Sequence, residues 1–222
     1  AGPLLSDAQG APAPIGVFGG TFNPVHYGHL RSALELVELL GLEQLCLMPS
    51  AAPPHRDPPE CAAEHRAAMV SLAVEGEPRL ACDDRELQRP GKSYSIDSLL
   101  DIRAELGARR SLCLVMGCDA LLGITGWHRW GELLDHAHIV VIARPGWSLP
   151  DSGEVADWLG EHRLPDSAAL ASRPAGGILV EELRPLAISS TEIRALLRAG
   201  RSARYLMPQP VLDYIQVNGL YH

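Results

Sequence analysis

The sequence lacks the features that would place the protein in a membrane, in a secretory pathway or on a nucleic acid. No apolar run approaches the roughly 18 residues that a membrane-spanning helix needs, and no basic start followed by an apolar stretch marks a signal peptide. The 27 acidic residues outnumber the 19 basic ones, for a net charge of −8, which disfavours a surface that coats DNA or RNA. We therefore expect neither a membrane nor a nucleic acid as a partner.

Cysteine is scarce and shows no pairing pattern. The five residues are an odd number without any Cys-x-x-Cys spacing. Cys46, Cys82 and Cys113 fall in or beside predicted strands, where free thiols behave as small hydrophobic side chains. Reduced cysteines are typical of a cytoplasmic protein. The length of 222 residues and the hydrophobic content of 46% fit one domain with a sizeable core.

Strands and helices alternate along the chain. Apolar runs predict strands at residues 15–18, 45–48, 80–82, 112–116 and 139–142, and helical spacing predicts helices at 28–40, 62–74, 94–106 and 211–217. This alternation predicts an α/β fold with a doubly wound, mostly parallel sheet. We expect residues 1–14 to form a flexible lead-in, 15–222 a single domain and 189–222 its small C-terminal helical part. Residues 145–174 are expected to form an irregular, mobile excursion.

A phosphate pocket is predicted directly after the first strand. Gly19 and Gly20 allow backbone conformations closed to other residues and a close approach of main-chain amides to a ligand. The next helix points its N-terminus at the same place. His26 and His29 lie three residues apart, so one helical turn puts both on the same side. The carboxyl end of a parallel strand is where such sheets bind ligands.

Two other interpretations of this segment stay open. It also fits a glycine turn followed by two incidental histidines. The His-x-x-His spacing fits a metal site on one helical face, although no third ligand is spaced to complete it, and we predict no metal ligands in the protein. His65, His136, His138 and His162 are interpreted as ordinary helix or surface residues.

A second anion site is predicted near the C-terminus. Residues 189–192, Ser-Ser-Thr-Glu, have the spacing of a capping box before a helix that Gly200 is placed to end. Hydroxyls and free amides at a helix start bind phosphate oxygens, and Arg194 adds a forked cation from the same turns. The alternative is an ordinary helix cap.

These two segments resemble a known family. Residues 19–29, Gly-Gly-Thr-Phe-Asn-Pro-Val-His-Tyr-Gly-His, resemble the signature of the HxGH nucleotidyltransferase superfamily, and Ile188 to Arg194 resembles its second signature, Ile-Ser-x-Thr-x-x-Arg. The resemblance implies a Rossmann-like nucleotidyltransferase fold, ATP as substrate with Mg²⁺, and no covalent enzyme intermediate. It also implies that the two histidines stabilise charge developing at the α-phosphate. Many members have Asp where this chain has Asn23, which keeps the turn-forming acceptor without its charge.

Residues 15–221 resemble in particular the bacterial nicotinate-mononucleotide adenylyltransferases. The stretches that carry the resemblance are Pro53-Pro54-His55-Arg56, Arg85-Glu86-Leu87, Pro90-Gly91-Lys92-Ser93-Tyr94-Ser95, Gly117-Cys118-Asp119, Trp127-His128-Arg129-Trp130, Arg144-Pro145-Gly146, Tyr214-Ile215 and Gly219-Leu220-Tyr221. This implies transfer of an adenylyl group from ATP to a pyridine mononucleotide in NAD biosynthesis.

The resemblance implies three groups of site residues. The implied catalytic residues are His26, His29 and Arg194. The implied ATP-binding residues are Gly19, Gly20, Thr21, Phe22, Asp119, Ile188, Ser189, Ser190 and Thr191. The implied residues for nicotinate mononucleotide are His55, Arg56, Tyr94, Ser95, Trp127, His128 and Arg144.

These residue types suit the implied roles. Trp127 offers a face on which a flat pyridine ring stacks. Asp119 can accept hydrogen bonds from ribose hydroxyls, and Arg56 and Arg144 supply cations for phosphorylated substrates. The alternatives are core packing for Trp127, a solvated residue before a turn for Arg144, and an ordinary loop residue for His55.

Other functions stay open on sequence alone. Adenylylation of phosphopantetheine is disfavoured because that family has Thr at the first motif histidine and lacks the block at residues 125–128. Nicotinamide mononucleotide is harder to exclude, because backbone amides that bind a carboxylate leave no charged residue in the sequence. A nucleotide-binding sensor and a metal-binding interaction protein are alternatives of other classes. The oligomeric state, a homo-oligomer included, is open.

Overall fold

The computed structural model describes residues 11–51 and 60–222. Six strands form one sheet in the order β3-β2-β1-β4-β5-β6, and neighbouring strands pair in parallel. The strands are β1 Ile15–Gly20, β2 Gln44–Pro49, β3 Leu80–Cys82, β4 Leu112–Gly117, β5 His138–Ala143 and β6 Ile178–Glu182. The predicted doubly wound, parallel α/β fold is confirmed.

Helices connect the strands. They are α1 Tyr27–Leu40, α2 Ala63–Val74, α3 Arg85–Gln88, α4 Ser95–Leu106, α5 Cys118–Leu122, α6 Leu133–His136, α7 Glu154–His162, α8 Ala168–Ala171, α9 Ser190–Arg198 and α10 Gln209–Asn218, with 3₁₀ turns at Ile124–Gly126 and Trp130–Glu132. None of the helices in the described ranges is long and apolar enough to cross a membrane.

The central strands are apolar because both faces of the sheet are covered. Residues 112–116 of β4 are all buried, as expected for a strand between two layers of helices. On one face, Leu36 and Val37 of α1 join a core that also includes α2 and α10. On the other face, Leu99 of α4 and Trp158 of α7 pack into a second core.

The sheet order places a switch point between β1 and β4. The chain proceeds from β1 to β2 and β3 on one side, and from β4 to β5 and β6 on the other. The loops that follow β1 and β4 therefore diverge, which opens a crevice at the carboxyl ends of these strands. We call the side of the sheet on which the strands end the carboxyl edge, and the side on which they begin the amino edge.

The amino edge is held by two polar clamps, of which the first is fully buried and the second half-buried. His138, at the start of β5, is fully buried; its Nδ1 accepts a hydrogen bond from Gly177 N at 3.0 Å, and its Nε2 lies 2.8 Å from Arg173 O. Arg103 donates to the carbonyl oxygens of His136, Gly107, Arg110 and Pro174. The interpretation of His138 as a helix or surface residue was wrong, because the strand begins one residue earlier than its apolar run.

The expected excursion at residues 145–174 was also interpreted wrongly in part. It contains α7, whose Trp158 and Leu159 are buried against the second core. β6 was not predicted, since only three apolar residues precede two glutamates in this edge strand. Residues 1–10 of the expected lead-in lie outside the described residues, and Pro14 O accepts a hydrogen bond from Glu43 N at 2.9 Å.

Candidate active site

The two motif histidines meet at the start of α1. His26 caps the helix, and its Nδ1 accepts a hydrogen bond from Gly28 N at 3.0 Å. The Nδ1 of His29 accepts one from His26 N at 3.1 Å. The two rings stack with centroids 3.7 Å apart. Because each Nδ1 is an acceptor, the neutral rings carry their protons on Nε2 and present two N–H donors.

Burial keeps this pair neutral. It lowers the pKa of His26 to about 4. Burial, and then the neighbouring His26, lower the pKa of His29 to about 3. A bound anion would favour the protonated form and raise both pKa values. The free protein thus holds two neutral hydrogen-bond donors at neutral pH.

Two glycines make room for aromatic rings in this loop. A Cβ on Gly28 would lie 2.8 Å from Cε1 of His26, and one on Gly20 would lie 3.0 Å from Cζ of Phe22. The left-handed residue of the loop is Phe22, with φ of 47°; neither Gly19 nor Gly20 has a positive φ. The expectation that these two glycines adopt conformations closed to other residues was therefore wrong, and at Gly20 the requirement is space.

The second motif packs directly against the first. Ser190 Oγ donates to Pro24 O at 2.9 Å, and Arg194 Nη1 donates to Asn23 O at 2.8 Å. Ile188 O lies 3.5 Å from where a Cβ on Gly28 would be. The N-termini of α1 and α9 therefore converge on one place, where their free amides and partial positive charges add.

Of the predicted capping box of α9, the Ser189 side-chain cap is confirmed, and the reciprocal bond from Ser189 N to the Glu192 side chain is not among the described contacts. Ser189 Oγ accepts a hydrogen bond from Glu192 N at 3.1 Å, and Arg194 Nη2 lies 3.3 Å from Thr191 Oγ1. Gly200, with φ of 68°, follows the helix end. Capping uses an acceptor lone pair of Ser189, while the first amides of the helix stay available to a ligand.

Asn23 is bonded to the C-terminal end of the chain. Tyr221 OH donates to Asn23 Oδ1 at 2.6 Å, and both residues are buried. Burial raises the pKa of the Tyr221 hydroxyl, so it stays protonated as a donor. An amide oxygen at position 23 therefore serves as a neutral acceptor here. The sequence indicated no role for Tyr221 beyond the resemblance of its stretch.

Asp119 and Arg144, predicted for different substrates, lie together. Asp119 follows β4 and Arg144 follows β5, and their side chains form an ion pair at 3.1 Å. Both side chains are largely exposed, at 76% and 60%. The adjacent carboxyl ends of two neighbouring strands bring them into contact.

The aromatic residues lie around the start of α4. The rings of Tyr94 and His128 lie 4.5 Å apart, and Ser95 is the first residue of α4. Trp127 is half-buried and packs against the second core. This side chain therefore belongs partly to the core, which bears out part of the alternative interpretation of Trp127.

Two predicted residues and one overlooked residue complete the inventory. His55 and Arg56 lie outside the described residues. Arg66, which sequence reasoning missed, is fully buried and donates to Thr21 O in the first motif at 2.7 Å. It lies on the buried face of α2 with Met69 and Val70. Its helical spacing from these apolar residues was the feature of the sequence that could have indicated a buried arginine.

A dedicated metal cage is not part of the described site. Within residues 11–51 and 60–222, no group of three or more His, Cys, Asp or Glu side chains is arranged to hold a metal ion. The donors that are present, imidazole N–H, guanidinium and helix amides, suit anions.

The fold and the converging helix starts define a Rossmann-like nucleotidyltransferase. Residues 17–196 match the family model described as cytidylyltransferase-like. The chain belongs to this cytidylyltransferase-like family.

Two curated relatives are similar to this chain over nearly its whole length. A protein of Pseudomonas putida is 52% identical over 98% of both chains, and one of Aeromonas salmonicida is 47% identical over 94% of this chain and 97% of its own. Each is named "Probable nicotinate-nucleotide adenylyltransferase". The resemblance stated from the motifs is confirmed.

Solved structures share the fold. The Plasmodium falciparum nicotinic acid mononucleotide adenylyltransferase complexed with NaAD superposes with a TM-score of 0.67 at 18% identity, covering 94% of this chain and 97% of that one. A Vibrio parahaemolyticus structure described as a putative nicotinate-nucleotide adenylyltransferase has a TM-score of 0.61 at 17% identity, covering 94% and 95%. The predicted Rossmann-like nucleotidyltransferase fold is confirmed.

Proposed function

We propose that the protein transfers the adenylyl group of ATP to nicotinate mononucleotide, which yields nicotinate adenine dinucleotide and pyrophosphate in NAD biosynthesis. The observation that carries this proposal is the convergence of two helix N-termini, the His26–His29 pair and Arg194 at the carboxyl edge. The names of the curated relatives support the acceptor.

The first loop and α9 bind the polyphosphate. His26 and His29 donate from Nε2 to phosphate oxygens, since their Nδ1 atoms are held by backbone amides. Arg194 donates to Asn23 O from Nη1 and to Thr191 Oγ1 from Nη2, and its remaining N–H groups donate to the same phosphates. Gly19, Gly20, Thr21 and Phe22 supply the β1 side, and Ile188 to Thr191 the α9 side.

The reaction is a direct displacement. A 5′-phosphate oxygen of the mononucleotide attacks the α-phosphorus of ATP and forms a P–O bond. The bond between the α-phosphorus and the bridging oxygen to the β-phosphorus breaks, and pyrophosphate leaves with that electron pair. Catalysis depends on positioning and on stabilising the charge that develops on the phosphate oxygens, which are tasks that fixed N–H donors perform.

The second half of the site binds the acceptor. Tyr94, Ser95, Trp127 and His128 border the pyridine ring, while Arg144 attracts the mononucleotide phosphate. Asp119 accepts hydrogen bonds from the ATP ribose. The two exposed side chains that pair with each other in the free protein therefore contact different substrates: Asp119 contacts ATP, and Arg144 contacts the mononucleotide. By the family resemblance, His55 and Arg56 also contact the mononucleotide.

Mg²⁺ enters with ATP in this proposal. The site fits an ion held by the polyphosphate, because its described side chains are donors to anions and offer no group of three metal ligands. Bound there, Mg²⁺ supplies neutralisation of phosphate charge. We also propose that the protein is cytoplasmic, that residues 15–222 form a single domain and that no nucleic acid is a partner. The oligomeric state, a homo-oligomer included, stays open.

The direct test is an acceptor assay. Purified protein is incubated with ATP, Mg²⁺ and either nicotinate mononucleotide, nicotinamide mononucleotide or phosphopantetheine, and products are separated by chromatography. We expect the highest kcat/KM with nicotinate mononucleotide. Absence of a dinucleotide from both pyridine mononucleotides refutes the proposal, and ATP binding by calorimetry without turnover favours a binding module instead.

The displacement is tested by stereochemistry. ATP that carries one sulfur on a chiral α-phosphorus gives a dinucleotide whose configuration is read by ³¹P NMR. Direct attack inverts the configuration at phosphorus. Retention requires two successive displacements and would contradict the absence of a covalent enzyme intermediate.

A further inference from the structure

Arg66 is a buried cation directly beneath the first loop. It projects from α2, and its side chain is fully buried. Nη1 donates to Thr21 O at 2.7 Å, Nη2 to Ala51 O at 3.2 Å and Nε to Cys61 O at 3.2 Å. None of the ion pairs among the described residues includes Arg66, and its hydrogen-bond partners there are backbone carbonyls.

The bond to Thr21 orients the next peptide group. In a planar trans peptide the C=O and N–H point in opposite directions. Since Thr21 O accepts a hydrogen bond from Arg66, the N–H of Phe22 in the same peptide group points away from Arg66.

Phe22 transmits this orientation to the histidines. Its φ of 47° is a conformation that non-glycine residues rarely adopt, so neighbouring contacts must hold it. Its buried ring packs edge-on against the ring of His29, with centroids 5.0 Å apart. A shift of Thr21 O would therefore move the Phe22 amide and also the Phe22 ring that packs against His29.

We propose that Arg66 is a positioning residue, whose guanidinium fork holds the first loop in its anion-binding conformation. The inference rests on the proposed function of that loop. A lysine at this position keeps the charge, but its single ammonium group cannot reproduce the planar fork that joins three separate carbonyls. The role therefore depends on geometry as well as charge.

The test compares Arg66→Lys and Arg66→Gln with Arg103→Gln. Arg103 is a matched control, because it also clamps backbone carbonyls but lies at the amino edge. All three variants should unfold at lower temperature than the wild type. Pyrophosphate binding, measured by calorimetry, and kcat should each fall on the order of 10-fold or more in both Arg66 variants. In Arg103→Gln, both should change by at most about 2-fold.

A spectroscopic signature separates positioning from general stability. In the wild type, pyrophosphate should shift the ¹⁵N–¹H resonance of Phe22 strongly, and in Arg66→Lys this shift should shrink while the fold persists. Wild-type affinity in Arg66→Lys overturns the proposal, as does an unshifted Phe22 amide in the wild type, which can be measured even if no Arg66 variant folds. If the wild type binds neither pyrophosphate nor ATP, the proposed function itself fails.

Discussion

The two edges of the sheet use the same residue types in opposite ways. At the amino edge, both ring nitrogens of His138 contact backbone groups, and Arg103 is surrounded by carbonyls. At the carboxyl edge, His26 and His29 each bind the backbone through Nδ1 alone among the described contacts. A buried histidine is therefore structural when both nitrogens are satisfied internally, and is available for a ligand when one N–H is kept.

The comparison also explains the position of the arginines. Arg103 ties loops together where no ligand is expected, whereas Arg194 joins the two motifs and Arg66 lies beneath one of them. Polar groups at the amino edge stabilise the fold, and in the proposed function those at the carboxyl edge additionally orient donors towards an anion. Substitutions at the two edges should therefore separate stability from activity.

The largest expected effect is on turnover at the carboxyl edge. His29→Ala should lower kcat, because it removes one donor to the developing charge. The activation free energy should rise by on the order of 2–4 kcal/mol. Its stability should fall by about 1 kcal/mol, since His26 N loses its capping acceptor. Steady-state kinetics and urea unfolding measure the two effects.

His162→Ala is the control for this substitution, because His162 is a partly exposed residue of α7 outside the site. Its kcat should match the wild type. An unchanged kcat in His29→Ala would remove His29 from the mechanism.

The opposite pattern is expected at the amino edge. His138→Ala leaves Gly177 N and the carbonyl of Arg173 without their buried partner, whereas the carbonyl of Leu170 keeps the hydrogen bond from Ser111 Oγ. The free energy of unfolding should fall by about 3 kcal/mol, since unsatisfied buried polar groups cost about 1–3 kcal/mol each. At a temperature where the variant is folded, kcat should stay within about 2-fold of the wild type. A large loss of kcat without loss of stability would break the distinction between the edges.

Acid should destabilise the protein through histidines of both edges. Burial lowers the pKa of His26 to about 4, of His29 to about 3, and of His138 below its ordinary value. In the unfolded chain these rings titrate near 6.5, so below that pH the unfolded state binds more protons. Stability is therefore full above pH 6.5 and falls until pH reaches each folded pKa, with a loss of about 2 kcal/mol at pH 5 for each of His26 and His29.

An anion should distinguish the two edges in this titration. Pyrophosphate should raise the NMR titration midpoints of His26 and His29 and leave that of His138 unchanged, because in the proposed site the anion contacts the carboxyl-edge rings and not His138. Midpoints near 6.5 in the free protein for His26 and His29 would contradict their burial as neutral donors.

The smallest expected effect is at the exposed Asp119–Arg144 pair. Exposed ion pairs contribute at most about 1 kcal/mol, so Asp119→Asn should hardly change stability. The KM for ATP should rise about 10-fold, on the scale of a lost hydrogen bond to ligand, with little change in kcat. An unchanged KM would remove Asp119 from the ribose site.

Local patterns predicted much of the fold and part of the site. The apolar runs predicted β4 and β5, and the three-residue spacing predicted that His26 and His29 lie together. Both predictions were possible because burial and helical periodicity are local properties of the sequence. The edge strand β6 and the buried His138 were missed, since a short run ending in glutamates and a histidine before an apolar run carry little local signal.

Contacts between distant residues could not be predicted. Arg66 and Thr21 are 45 residues apart, and Tyr221 and Asn23 are 198 apart. Their partners are a backbone carbonyl and an amide, which leave no complementary charge in the sequence. The Nδ1 contacts that set the histidine tautomers depend on the backbone at the start of α1 and on the space at Gly28.

The most direct test of the carboxyl-edge account is amide chemical-shift mapping with ATP and Mg²⁺. The account predicts the largest shifts at residues 19–29, 117–119 and 188–194, and none of comparable size at residues 107–112 or 170–177 of the amino edge. Shifts concentrated at the amino edge, or no shifts at residues 19–29, would contradict it.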